Sequence, residues 1–214
     1  MAFYLDDDTH PYWLYQQQNR RNVAALLASN QSSGDEVFPP SAAQVSLLLQ
    51  AAVEFGDKSL QGQIIVAVAP VWFEIAKMIE KDRSLMYQIA PRKWEELIAG
   101  WYEAYGFDEV ILTPPSGDLG RDVIAVKRGV LSVRIIDQVK AYAPGRLVPA
   151  NDVRALLGVL GSDRAATKGL VTTTSDFAPK IETDELISPY LPTRLELVNG
   201  TELVRRLSEA ASRK

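Results

Sequence analysis

Residues 122–141 read DVIAVKRGVLSVRIIDQVKA, and the fold turns on this stretch. Two largely apolar runs, 122–126 and 131–141, flank Lys127, Arg128 and Gly129. A connection this short joins antiparallel neighbours, so the sequence predicts a β-hairpin. Side chains alternate faces along a strand, which points Gln138 and Lys140 one way and Asp137 and Val139 the other. The turn folds the end of the second strand back toward the start of the first. Asp122 therefore comes beside Gln138 and Lys140, and a carboxylate, an amide oxygen and an ammonium meet at one end of a sheet.

Outward from the hairpin the pattern alternates. Upstream, Pro91 sits at a first-turn position and opens a helix over 92–105. Its Trp94, Leu97, Ile98, Trp101 and Tyr102 share one face, and Gly106 ends it. A short strand over 110–113 follows, then a turn-rich loop, Pro114, Pro115, Ser116 and Gly117. Downstream come a helix over 151–160, a strand over 169–173, a helix over 179–187, a strand over 194–198 and a last helix over 201–211. This succession describes an α/β protein, a mixed sheet flanked by helices on both faces.

Residues 1–88 read differently, as a small, mainly helical N-terminal region set before a domain at 89–214. A helix is expected over 15–29, a loop over 30–40, and a helix over 42–55 with Ser41 as its cap. The apolar run 64–78 reads as helical in part, with Pro70 at a start or kink. Trp13, Tyr15 and Trp72 read as core aromatics.

Composition narrows the chemistry. The chain has 214 residues with 47% hydrophobic and 23% charged, enough to bury a sizeable core. Cysteine is absent, which excludes disulfides, thiolate metal sites and cysteine nucleophiles, and suits a cytoplasmic protein. The single histidine, His10, stands in a polar segment as an incidental surface residue, so a Ser-His-Asp triad is not supported. The first residues carry acids where a secretory leader needs bases, and no apolar stretch is long enough to span a membrane. A net charge of −4 argues against an extended nucleic-acid-binding surface, but an acidic metal site beside a local basic patch stays compatible with it. Arg121, Lys127, Arg128 and Arg134 are candidates for such a patch, and a solvated hairpin face explains them equally well.

The hairpin cluster fits phosphodiester hydrolysis. A hard divalent cation such as Mg²⁺ takes oxygen ligands and keeps waters. Asp122 offers a charged ligand, Gln138 a neutral one and the Val139 carbonyl a third, while Lys140 can orient water or stabilise developing charge.

Several segments fall in an order that resembles a known family. They are residues 91–99 (PRKWEELIA), Gly106 and Phe107, Thr113, residues 116–122 (SGDLGRD), Gln138 to Lys140, residues 169–175 (GLVTTTS) and residues 195–203 (LELVNGTEL). Together they resemble the Mrr-type restriction endonuclease domain of the PD-(D/E)XK nuclease superfamily, from about residue 89 to 208. The resemblance implies a restriction-endonuclease-like fold and a metal-dependent endonuclease (Mg²⁺ or Mn²⁺) that hydrolyses DNA, in restriction or phage defence. It implies Asp122 as the metal-binding aspartate, Gln138 in the second acidic position, Lys140 as the catalytic lysine and Glu95 as a helical acid completing the site. A homodimer is implied as well. Glu96 reads as a first-turn acid, Asp118 as a turn former, and residues 172–175 as a helix cap or a phosphate contact. The superfamily's usual Glu is Gln138 here, which removes one charge from the site. That departure supports an alternative reading, a catalytically inactive nuclease fold acting as a DNA-binding or scaffolding module. RNA or branched DNA is the other alternative substrate.

Overall fold

The computed structural model describes residues 42–115 and 120–213. The elements expected over 15–29 and 30–40, together with His10, Trp13, Tyr15, Ser41 and Asp118, lie outside the described residues.

The elements run α1 (Ala42–Leu49), β1 (Val53–Ser59), β2 (Gly62–Val68), α2 (Pro70–Lys81), a 3-10 helix (Arg83–Gln88), α3 (Pro91–Ala104), β3 (Glu109–Leu112), β4 (Val123–Lys127) and β5 (Val133–Lys140). Then come α4 (Ala150–Ser162), β6 (Lys168–Thr173), two 3-10 turns (Ile181–Thr183 and Ser188–Tyr190), β7 (Leu195–Val198) and α5 (Gly200–Ser212). Among the described residues seven strands form one sheet in the order of the chain. Pairing is antiparallel from β1 through β5 and parallel from β5 to β6 and β7. The expected hairpin is β4–β5, in register from Val123 opposite Asp137 to Lys127 opposite Val133.

Helices cover both faces. On one, α3 packs over β1 to β5 with α2 and α5 beside it. Trp94, Leu97 and Tyr102 of α3 are essentially inaccessible, each worth roughly 1.5–3 kcal/mol of burial. Pro91 occupies the first turn of α3, and Gly106 takes a φ of 77° just past its end, where a left-handed residue terminates a helix at little cost. On the other face, α4 packs against β6, and Val153, Leu156 and Leu160 close a second core over Ile136 and Val171. The faces of β5 are thereby assigned. Ile135 and Val139 pack with the α3 core, and Ile136 with the α4 core.

Three expectations are corrected. The helix expected over 42–55 stops at Leu49, and Val53 to Phe55 begin β1. Within the run 64–78, residues through Val68 are strand, and only from Pro70 is the chain helical. A continuous apolar run lacks the periodicity that separates a buried strand from a buried helix. The helix expected over 179–187 holds only a 3-10 turn (Ile181–Thr183), one stop being the Asp184 carboxylate, which accepts from the Leu186 N–H at 3.0 Å, and the second 3-10 turn begins at Ser188. The boundary at 88/89 falls between the 3-10 helix and α3, and strands from both sides of it share the sheet.

Candidate active site

The site is assembled where β4 begins and β5 ends. The two backbones separate here, and the Asp122 side chain takes over from the ladder. Its Oδ2 accepts from the Val139 N–H at 2.6 Å, while the Asp122 N–H donates to the Asp137 carbonyl at 3.1 Å. A charge-assisted bond of this kind fixes the carboxylate against the second strand. Asp122 is thus locked beside the 138–140 segment, as strand alternation predicted.

Gln138 is buried, with 8% of its surface accessible, and its Oε1 has no hydrogen-bond partner. An unpaired buried carbonyl oxygen carries a desolvation cost of about 1–3 kcal/mol, which a donor or a cation at this atom would offset. The loop backbone presses on the same side chain. A Cβ on Gly120 would stand 3.2 Å from Gln138 Nε2, and Gly120 has a φ of 76°, which favours glycine.

Lys140 shares the Gln138 face. Its Nζ lies 4.0 Å from Oδ2 of Asp152, in the first turn of α4. The same oxygen accepts from the Tyr142 hydroxyl at 3.2 Å. Neither Asp152 nor Tyr142 stood out in the sequence. The one signal was an acid in the first turn of the helix after the site strand, ordinarily read as a dipole partner.

Glu95 projects from the first turns of α3. Its Oε2 accepts from Arg92 Nη1 at 2.5 Å, and the same nitrogen donates to the Thr113 carbonyl at 2.8 Å. Thr113 in turn donates from its N–H and Oγ1 to the Asp122 carbonyl, at 3.0 and 3.1 Å. The structure links Glu95 to Asp122 through these two residues. Glu96 is buried against Lys93 at 2.6 Å. Of residues 172–175, Ser175 meets a helix start, its carbonyl accepting from the Gly200 N–H at 2.8 Å, while the side-chain cap of α5 is Asn199. Thr173 Oγ1 donates to the Lys140 carbonyl and Thr174 Oγ1 to the Tyr142 carbonyl, both at 2.7 Å, stitching β6 to the exit of β5.

Behind the site, Asp137 points into the α3 core, where its Oδ2 accepts from the Tyr102 hydroxyl at 2.9 Å. Burial pushes the Asp137 carboxyl up to about 7, the Thr172 and Tyr102 hydroxyls oppose that rise, and the Asp122 charge adds to it. Burial likewise holds the Tyr102 phenol well above its ordinary range.

Among the described residues no three His, Cys, Asp or Glu side chains converge to hold a metal. Asp122 and Gln138 offer a carboxylate and an unpartnered amide oxygen at the same strand end, a donor set that fits a hard divalent cation completing its shell with water. No helix among them is long and apolar enough to cross a membrane.

A mixed sheet with helices on both faces, and an Asp and a Gln-x-Lys segment meeting at one end, defines a restriction-endonuclease-like fold. The sequence pattern of the Mrr catalytic family, described as restriction endonuclease, matches residues 86–207, more than half of the chain, and the chain belongs to that family. Among solved structures it is similar to the DNA modification-dependent restriction endonuclease AspBHI, at 17% identity and a TM-score of 0.47, over 83% of this chain and 40% of that one. It is also similar to the MspJI restriction endonuclease in complex with a 27-mer oligonucleotide, at 18% identity and a TM-score of 0.40, over 63% of this chain and 30% of that one. The chain therefore spans less than half the length of either. No curated protein matches it.

Proposed function

We propose that this chain is a divalent-metal-dependent endonuclease acting on DNA, with its site at Asp122, Gln138 and Lys140. The observation that carries the reading is the buried, unpartnered Oε1 of Gln138 at the strand end where the Asp122 carboxylate is fixed to the Val139 N–H. Asp122, Gln138 and the Val139 carbonyl would hold Mg²⁺ or Mn²⁺, and such an ion supplies charge neutralisation at phosphate and a more acidic water. Asp122 is pre-set by the Val139 N–H, so no reorganisation is needed at the moment of reaction. Lys140, steadied by Asp152, presents an ammonium on the same face, where it can stabilise charge developing on the phosphate. Glu95 joins the set as an acid reached through Arg92 and Thr113, with the role of holding the start of α3 to the strand end beside Asp122. A homodimer belongs to this proposal, because cutting both strands of a duplex calls for two sites.

Supercoiled plasmid incubated with Mg²⁺, with Mn²⁺ or with chelator tests it. Nicking that requires a divalent ion is the expected result. The absence of nicking with either ion, together with the absence of metal binding by calorimetry, would establish the inactive DNA-binding module instead.

A further inference from the structure

Charge at the proposed site poses a problem of competition. The Asp122 carboxylate is fixed on the Val139 N–H, one residue before Lys140, and the Gln138 side chain at the same strand end is neutral. A single carboxylate must therefore attract a divalent cation with an ammonium close by. A lysine ammonium is a compact charge on a flexible stem, free to turn to the nearest carboxylate. At Asp122 it would compete with the ion for the same oxygens.

Asp152 offers that ammonium another partner. Among the described residues it is the one carboxylate within 4.0 Å of Lys140 Nζ, and it comes from the first turn of α4. The oxygen that faces Lys140 is itself held, because Asp152 Oδ2 also accepts from the Tyr142 hydroxyl at 3.2 Å. Burial and the Asp152 charge raise the Tyr142 phenol above its ordinary range, so the hydroxyl stays a donor. Tyr142 is placed in turn by the Arg146 guanidinium, 4.2 Å from its ring centre, and by Thr174 Oγ1, which donates to its carbonyl at 2.7 Å. The Lys140 carbonyl accepts from Thr173 Oγ1 at 2.7 Å. The backbone is thus pinned at both residues, and the lysine side chain is left to follow the carboxylate. An acid in the first turn of a helix also offsets the helix dipole. Any acid in the turn serves that role, whereas Tyr142 and Lys140 converge on one oxygen of this one.

We propose that Asp152 is a positioning residue that draws the Lys140 ammonium away from Asp122 and leaves that carboxylate to a divalent cation. The proposal rests on the metal-dependent nuclease reading above. Asp152 does not ligate the ion. It acts through Lys140, and so allows a site with a neutral Gln138 to hold a divalent ion on one carboxylate.

Calorimetric titration of Mg²⁺ and of Mn²⁺ into the full chain tests this, for the native protein, Asp152→Asn, Lys140→Ala and the double variant. Asn removes the charge but keeps an oxygen for the Tyr142 hydroxyl. Thermal melts in chelator establish that each variant is folded. The expected result is a metal affinity about tenfold weaker in Asp152→Asn, with no such loss when the same change is made in Lys140→Ala. Unchanged affinity in Asp152→Asn overturns the proposal, and a lowered melting temperature alone would confine Asp152 to the helix dipole. An equal loss in both backgrounds overturns it as well, since Asp152 would then act on the ion directly. The nuclease reading fails by different results. A native protein that binds neither ion removes the site and this proposal together, whereas one that shows the expected cycle but leaves plasmid intact overturns the nuclease reading alone.

Discussion

The two ends of the β4–β5 hairpin are built on opposite plans. At the turn end, charges are matched. Lys127 pairs with Asp108, Arg128 with Glu109, and Arg134 with Asp163. Apolar Val130 and Leu131 stand in solvent at the tip without disturbing the register. At the other end the ladder opens early, a carboxylate substitutes for a strand partner, and the Gln138 oxygen is left without a donor. The difference teaches where to look for chemistry in such a fold. At the turn end matched charges hold structure, and at the other end the unpartnered Gln138 oxygen is where a ligand would be satisfied.

Removing groups from the demanding end should have the largest effect. Asp122→Ala or Lys140→Ala is expected to lower the rate of metal-dependent cleavage by about 10²–10³-fold or more, with both variants folded and Asp122→Ala less stable by about 1–3 kcal/mol because the Val139 N–H loses its acceptor. Gel-based nicking rates beside thermal melts check this, and retained activity in both variants would break the comparison at its root.

Asp137 lies behind the same strand end, and the expected effect there is on stability. Its carboxyl is raised to about 7 in the folded state, above the ordinary carboxylate value. Between those two values the folded protein holds a proton that the unfolded chain has released. Stability therefore falls as pH rises from about 4 to about 7 and levels off above. Asp137→Asn should flatten that decline and leave the variant more stable at pH 8, by up to about 4 kcal/mol. Denaturant titrations at several pH values measure it, and parallel profiles for the two proteins would show that Asp137 stays charged throughout.

Gln138→Glu sharpens the comparison by supplying the missing charge. Mg²⁺ or Mn²⁺ affinity should rise about tenfold, and the metal-free protein should lose about 1–3 kcal/mol because a buried carboxylate then lacks a partner. Calorimetric metal titration together with melts in chelator reads both halves. The smallest effect is expected at the turn end, where Arg128→Ala should change stability by no more than about 1 kcal/mol and leave cleavage as it was. A large loss there would mean that the ion pairs at the turn also matter to the site.

Much of this architecture was legible in the sequence because it is local. The hairpin follows from two apolar runs and a short polar connection, and α3 from Pro91, a one-sided apolar stripe and Gly106. The pairing of Asp122 with the 138–140 segment follows from the short turn together with alternation. What escaped is long-range or unperiodic. The run 64–68 is a strand because β3 offers it a partner, a fact absent from its own residues. Asp152 reaches Lys140 only because α4 folds back over the sheet, and Arg92, which holds Glu95, reaches Thr113 across 21 positions. Such links depend on the tertiary fold, which spacing does not encode.

The place of β1 and β2 has a practical consequence for handling the protein. A fragment beginning at residue 86, where the family match begins, would lack both strands. Leu112, Ile111 and Val110 of β3 pair with Gln63, Ile64 and Ile65 of β2, and without them β3 becomes a bare, apolar edge. Exposed edges of that kind recruit strands from other molecules and aggregate. Soluble expression should therefore require a start upstream of Val53, and the catalytic boundary drawn by family likeness is shorter than the unit that folds.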